Sequence, residues 1–145
     1  MFNGAHPYST QNGSSPPSEI DQLTGMDDVS DLFVLGRRGI SDIAQSDLSD
    51  EIILYQDFPS VKMGKMNYAQ IENLNIGQDR IQLVGDSSDY LFIPNRAATK
   101  MQIFLDSGSA VSSGTLDGGD DLLAIVGFRP SLNNINLHGN YTLYI

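Results

Sequence analysis

From residue 21 onward the chain consists of short apolar runs separated by Gly, Asp and Asn. Runs of this kind, rich in aliphatic, β-branched and aromatic residues and bounded by turn formers, predict strands. The runs are Asp31–Leu35, Glu51–Gln56, Ile71–Ile76, Arg80–Val84, Tyr90–Ile93, Lys100–Leu105, Leu122–Phe128 and Tyr141–Ile145. Ile81 and Leu83 alternate with period two, as do Tyr141, Leu143 and Ile145, whereas Ile71, Leu74 and Ile76 do so imperfectly. The run LLAIV is apolar on both faces, which predicts the most central strand. Helical signals are thin. Ser41–Leu48 has the cap and spacing for one or two turns, and Lys62–Gln70 reads as an irregular excursion. The expectation is an all-β fold, a single compact β-sandwich or β-roll-like domain of about eight short strands, with no strict internal repeat.

Residues 1–20 differ in kind. They are dominated by Gly, Ser, Pro, Asn and Gln and offer little apolar surface to offset ordering entropy. The chain is therefore divided into a polar N-terminal arm, 1–20, and a β domain, 21–145. The arm has neither a basic region nor an apolar core of the kind found in cleavable export signals.

Composition narrows the function classes. With 8 basic and 18 acidic residues the net charge is −10, so nucleic acid and anionic membrane surfaces are not expected partners. No apolar stretch reaches the ~20 residues of a membrane helix. Cysteine is absent, which removes thiol chemistry and disulfides. The two histidines, His6 and His138, stand far apart in the sequence, and no nucleophile elbow or phosphate loop occurs. Enzyme activity is not expected. Arg37 and Arg38, in GRRG, read as an exposed turn.

The richest chemistry lies in FLDSGSAVSSGTLDGGDDLLAIV, residues 104–126. Counted back from Asp120, the stretch Gly114–Asp120 has the form of the second half of an EF-hand-type loop. Gly114 stands at the bend and Thr115 offers its backbone carbonyl, while Asp117 and Asp120 offer carboxylates. Asp121 adds another. Ser113 falls where an acidic or amide ligand is usual, and Asp106 lies upstream, displaced by an insertion. Hard Ca²⁺ takes six to eight oxygens, the donor type gathered here. The competing reading is a Gly/Ser/Asp hairpin in which Asp117 makes a turn to its own backbone. A second candidate is LTGMDDVSDLFVL, a degenerate copy of the calcium-binding nonapeptide GGxGxDxUx. Gly25, Asp31 and Phe33 keep their roles there, and Asp27 adds a carboxylate. Its alternative is an acidic loop entering a strand.

These stretches, together with LYQDF, GQDRIQLVGDSSDYL and the last strand, resemble the C-terminal module of RTX (hemolysin-type) calcium-binding proteins of cyanobacterial type. Serralysin-type C-terminal regions are similar more distantly. The resemblance covers about 21–145. It departs in lacking tandem nonapeptides, in a lengthened hairpin loop, in an insertion before GQDRIQLVG, and in having Asp121 where the family has Glu. It implies type I secretion to the extracellular space or cell surface, a calcium-rich setting, and Ca²⁺ as ligand. The leading expectation is an exported structural or interaction protein that forms homo-oligomers through its N-terminal arm, as a surface layer or filament. The alternatives are a calcium-dependent adhesin or glycan-binding module for cell-surface polysaccharide, or a domain serving mainly as secretion signal. Tyr8, Tyr55, Tyr68, Tyr90 and Tyr144 are the stacking candidates of the glycan-binding alternative, although most of them are better explained as core or strand-face residues.

Overall fold

A computed structural model describes residues 20–38, 51–55, 67–97, 99–106, 115–129 and 141–145. The fold is all-β. Its strands are β1 (Ile20–Thr24), β2 (Leu32–Val34), β3 (Gly36–Arg38), β4 (Glu51–Ile53), β5 (Tyr68–Asn75), β6 (Arg80–Leu83), β7 (Tyr90–Pro94), β8 (Lys100–Leu105), β9 (Asp121–Arg129) and β10 (Thr142–Tyr144). The only helical turn among the described residues is a short 3₁₀ segment at Ser87–Asp89. No helix among them is long and apolar enough to cross a membrane.

One sheet has the order β1-β5-β9-β8-β7, a second β10-β6-β2, and a third pairs β3 with β4. The strands β1, β5 and β9 are parallel, and so are β2, β6 and β10. The chain therefore runs from β1 to β2, from β5 to β6, and from β9 to β10 as three stacked rungs. This parallel stacking is the roll-like form of the expected fold. Rung one lies over rung two at a constant offset, Ile20 against Tyr68 and Leu32 against Arg80. A structural repeat is thus present without a strict repeat in sequence.

The period-two alternation aims the core. Ile81 and Leu83 on β6, Tyr90 and Phe92 on β7, and Met101 and Ile103 on β8 are all buried in one apolar cluster with Leu35, Ile71, Leu74, Leu123 and Val126. As its sequence predicts, β9 is central, with β5 on one side and β8 on the other. The imperfect rhythm of Ile71 and Leu74 has a local cause. The β5–β9 register shifts between these two residues, and Asn73 adopts a left-handed φ of 61°. The extra residue of this bulge lets both side chains reach the core, each fully buried.

Four details differ from expectation. Ile20, the last residue of the expected arm, opens β1, an edge strand whose only fully inward side chain is Leu23. Tyr68–Gln70 belong to β5 rather than to an excursion, because Ala69 continues the buried face of that strand. Arg37 and Arg38 lie in β3, paired with β4, rather than in a turn. Gly36 makes this possible: a Cβ there would meet Val84 at 2.9 Å, so only glycine lets β3 lie so close to the chain beyond β6. Finally, Tyr55 and Tyr90 are core residues and not stacking platforms. The Tyr55 hydroxyl donates to Asp21 Oδ2 at 2.8 Å, and that of Tyr90 donates to the Val84 carbonyl at 2.6 Å. The helix expected at Ser41–Leu48 and the arm before Ile20 lie outside the described residues, as do Tyr8, His6 and His138.

Candidate functional site

The β8–β9 hairpin positions one group of candidates. Its register pairs Leu105 with Asp121, so Asp106 leaves β8 at the end where Asp120 and Asp121 enter β9. Asp120 is completely buried and Asp121 nearly so, while Asp106 is half-buried. The Asp106 backbone N–H donates to the Asp89 carbonyl at 2.8 Å, tying this corner to the start of β7. The turn before β9 is held by its own carboxylates. Asp117 N–H donates to Asp120 Oδ2 at 2.6 Å, and Gly119 N–H donates to Asp117 Oδ1 at 2.7 Å. The second bond is the self-made Asp turn that the sequence offered as the alternative to a metal loop. Thr115 and Asp117 are exposed, and Ser113 lies outside the described residues.

The second group sits at the opposite end of β9. Nine residues at about 3.3 Å rise place the two ends of that strand roughly 26 Å apart. Asp31 precedes β2 and is buried; its Oδ2 accepts the Met26 N–H at 2.6 Å, closing the turn between β1 and β2. Asp27, in the same turn, is exposed and forms an ion pair with Arg129 at the end of β9. The seven described candidates therefore form two groups rather than one. Among the described residues, no set of three or more Asp, Glu or His side chains stands together at metal-holding spacing.

Sequence reasoning missed the most deeply placed acid of this second end. Asp79 is fully buried before β6. Its Oδ1 accepts the Asp31 N–H at 3.0 Å and its Oδ2 accepts the Asn75 N–H at 2.7 Å. Both carboxylate oxygens thus satisfy backbone donors of turns, that of Asp31 buried and that of Asn75 partly so. Gly25 accommodates this arrangement. A Cβ there would meet the Asn73 carbonyl at 2.8 Å and Asp79 Oδ2 at 3.1 Å, and its N–H donates to the Glu72 carbonyl. The signal was in the sequence: Asp79 precedes Ile81 by the same spacing as Asp31 precedes Phe33.

The candidate side chains at the hairpin corner all offer oxygen, the donor a hard cation takes, but they do not stand at metal-holding spacing. At the other end the carboxylates of Asp31 and Asp79 act as turn caps. No protein-family model matches this chain, and no curated protein matches it.

Proposed function

We propose that the chain is an exported, extracellular structural and interaction module of RTX type, non-catalytic, calcium-stabilised and self-assembling. The observation that carries this reading is the stack of three parallel rungs with aspartate carboxylates closing its turns. Stacked rungs bury their core only against like neighbours, so the architecture extends by adding more strand of the same kind. Among the described residues β1 pairs on one side only, and Ile20 on it is 47% exposed. Residues 1–19 join the chain at this strand. An arm from a second copy laid along β1 is strand addition at a sheet edge. The extracellular setting and the type I route rest on the resemblance in sequence.

Calcium enters at the hairpin corner. Asp120 and Asp121 are adjacent and buried, and Asp106 arrives beside them from β8. Burying a carboxylate is costly, and a divalent cation offsets part of that cost with oxygen coordination. Asp106, Asp120 and Asp121 do not stand at metal-holding spacing as they are; on this reading they close in around the ion when it binds, with Asp117 shaping the turn.

The test is a thermal melt of the full chain in calcium and in chelator, with light scattering of the same samples. A site at 100-fold excess of ion over its dissociation constant adds about 2.7 kcal/mol, a shift of several degrees. Coincident melts remove the calcium claim. A species that stays monomeric with and without residues 1–19 removes the assembly claim.

A further inference from the structure

At the end of β9 away from the hairpin corner, a cleft of about 310 Å³ is lined by Met26, Asp27, Asp28, Asn73, Asn75 and Arg129. Each rung contributes to it. Met26, Asp27 and Asp28 come from the turn between β1 and β2, Asn73 and Asn75 from the end of β5, and Arg129 from the end of β9, in register with Asn75. The Asp27–Arg129 ion pair spans the cleft, joining the first rung to the third. Two of the three non-glycine residues with left-handed φ among the described residues lie here, Asp28 at 63° and Asn73 at 61°. Such backbone positions concentrate at binding sites, where the surroundings hold them.

The chemistry of the lining selects a ligand class. A cationic ligand would meet the Arg129 guanidinium. An anionic one would meet Asp27 and Asp28. A hydroxyl both donates and accepts, and this one small space offers carboxylate acceptors, carboxamides able to do either, and a guanidinium donor. Met26, 46% exposed, adds an apolar contact suited to the C–H face of a sugar ring. We propose that this three-rung cleft is a binding site for a neutral carbohydrate, held by hydrogen bonds to Asp28, Asn73, Asn75 and Arg129 without aromatic stacking. The site is independent of the calcium corner and of self-assembly.

Both left-handed positions provide a clean variant, because glycine adopts that φ without strain. Asn73→Gly removes the carboxamide and leaves the backbone at ease; Arg129→Gln removes the guanidinium. The ¹⁵N-labelled full chain is titrated with cellobiose, maltose and diacetylchitobiose, and separately with a heparin disaccharide. Saturable shifts at the amides of Met26, Asp28, Asn73, Asn75 and Arg129 with at least one neutral sugar are expected. The affinity should fall about tenfold or more in each variant, as for a lost polar contact to a bound hydroxyl, and Asn73→Gly should not lower Tm. Silence at those amides up to about 10 mM of every neutral sugar, binding unchanged in both variants, or preference for the heparin disaccharide overturns the proposal.

Discussion

Asp79 accepts a hydrogen bond from the backbone N–H of Asp31, 48 residues earlier in the chain, and so ties the turn of one rung to the next. Its other oxygen holds the Asn75 N–H of its own turn. Replacing the fully buried Asp79 by Ala leaves two backbone donors without this acceptor, one buried and one partly buried. Each such loss costs about 1–3 kcal/mol, so the variant should be destabilised by roughly 2–5 kcal/mol. Asp79→Asn keeps one acceptor and should lie between. Urea unfolding followed by circular dichroism measures both; a variant Asp79→Ala as stable as the parent would show that the bridge between rungs is dispensable.

Glu72 and Lys100 form an ion pair at 2.7 Å across the central strand, Glu72 on β5 and Lys100 on β8. Between them lies Gly127, paired with Lys100, where a Cβ would collide with the Glu72 carboxylate. The hydrogen bond from Lys100, reinforced by that from Gln70, holds the Glu72 carboxyl below its ordinary value of 4.5. A depressed carboxyl stabilises the fold above its unfolded value and loses that contribution as pH falls through the folded one. Glu72→Gln and Gly127→Ala should therefore each cost less than about 1 kcal/mol at neutral pH, because the pair is partly exposed. The difference from the parent should begin to shrink below about pH 4.5 and vanish once Glu72 is protonated in the folded state as well, and it should shrink in high salt. Stability measured at pH 7 and at acid pH checks the sign. A deficit that grows on acidification would contradict it.

Tyr141 anchors β10 from within the core, fully buried and edge-on to Phe128 at 5.4 Å. Burial, followed by the charge of nearby Tyr144, pushes its phenol up from 10.0 to about 12. A group whose folded pKa is raised contributes stability in full below its unfolded value and loses it as pH climbs through the folded one. The fold should therefore resist alkali up to about pH 10 and weaken toward 12. Tyr141→Phe should flatten that loss. Spectrophotometric titration should show the Tyr141 phenol ionising late, together with unfolding, with Tyr144 also raised by burial; normal titration of every tyrosine would refute the assignment.

Most strands were legible because their side chains alternate against one shared core: Ile81 with Leu83, Tyr90 with Phe92, Met101 with Ile103. The central place of LLAIV was legible from its two apolar faces. The edge strand β1 was not, since IDQLT sends only Leu23 fully inward. The bulge at Asn73 hid the rhythm of β5. Nor does alternation say which strands stack, so the parallel rungs and the Asp31–Asp79 link escaped notice. At the candidate sites, residue types marked the two places where the carboxylates stand, but not Arg129, which meets Asp27 across 102 residues of sequence.

Asp120 separates a structural turn from a cation site. Its Oδ2 accepts the Asp117 N–H, a task that the carboxamide oxygen of Asn performs equally well. If Asp120 serves only this turn, Asp120→Asn should leave stability nearly unchanged and insensitive to calcium. If Asp106, Asp120 and Asp121 hold Ca²⁺, the variant should respond with opposite signs in two buffers. In chelator it removes one buried charge and should gain up to about 1 kcal/mol. In excess calcium it has lost a charged ligand and should fall below the parent by a similar amount. Thermal melts of parent and variant in both buffers give four values, and a crossing of the two orders is the expected result. Parallel shifts in the two buffers would assign Asp120 to the turn alone.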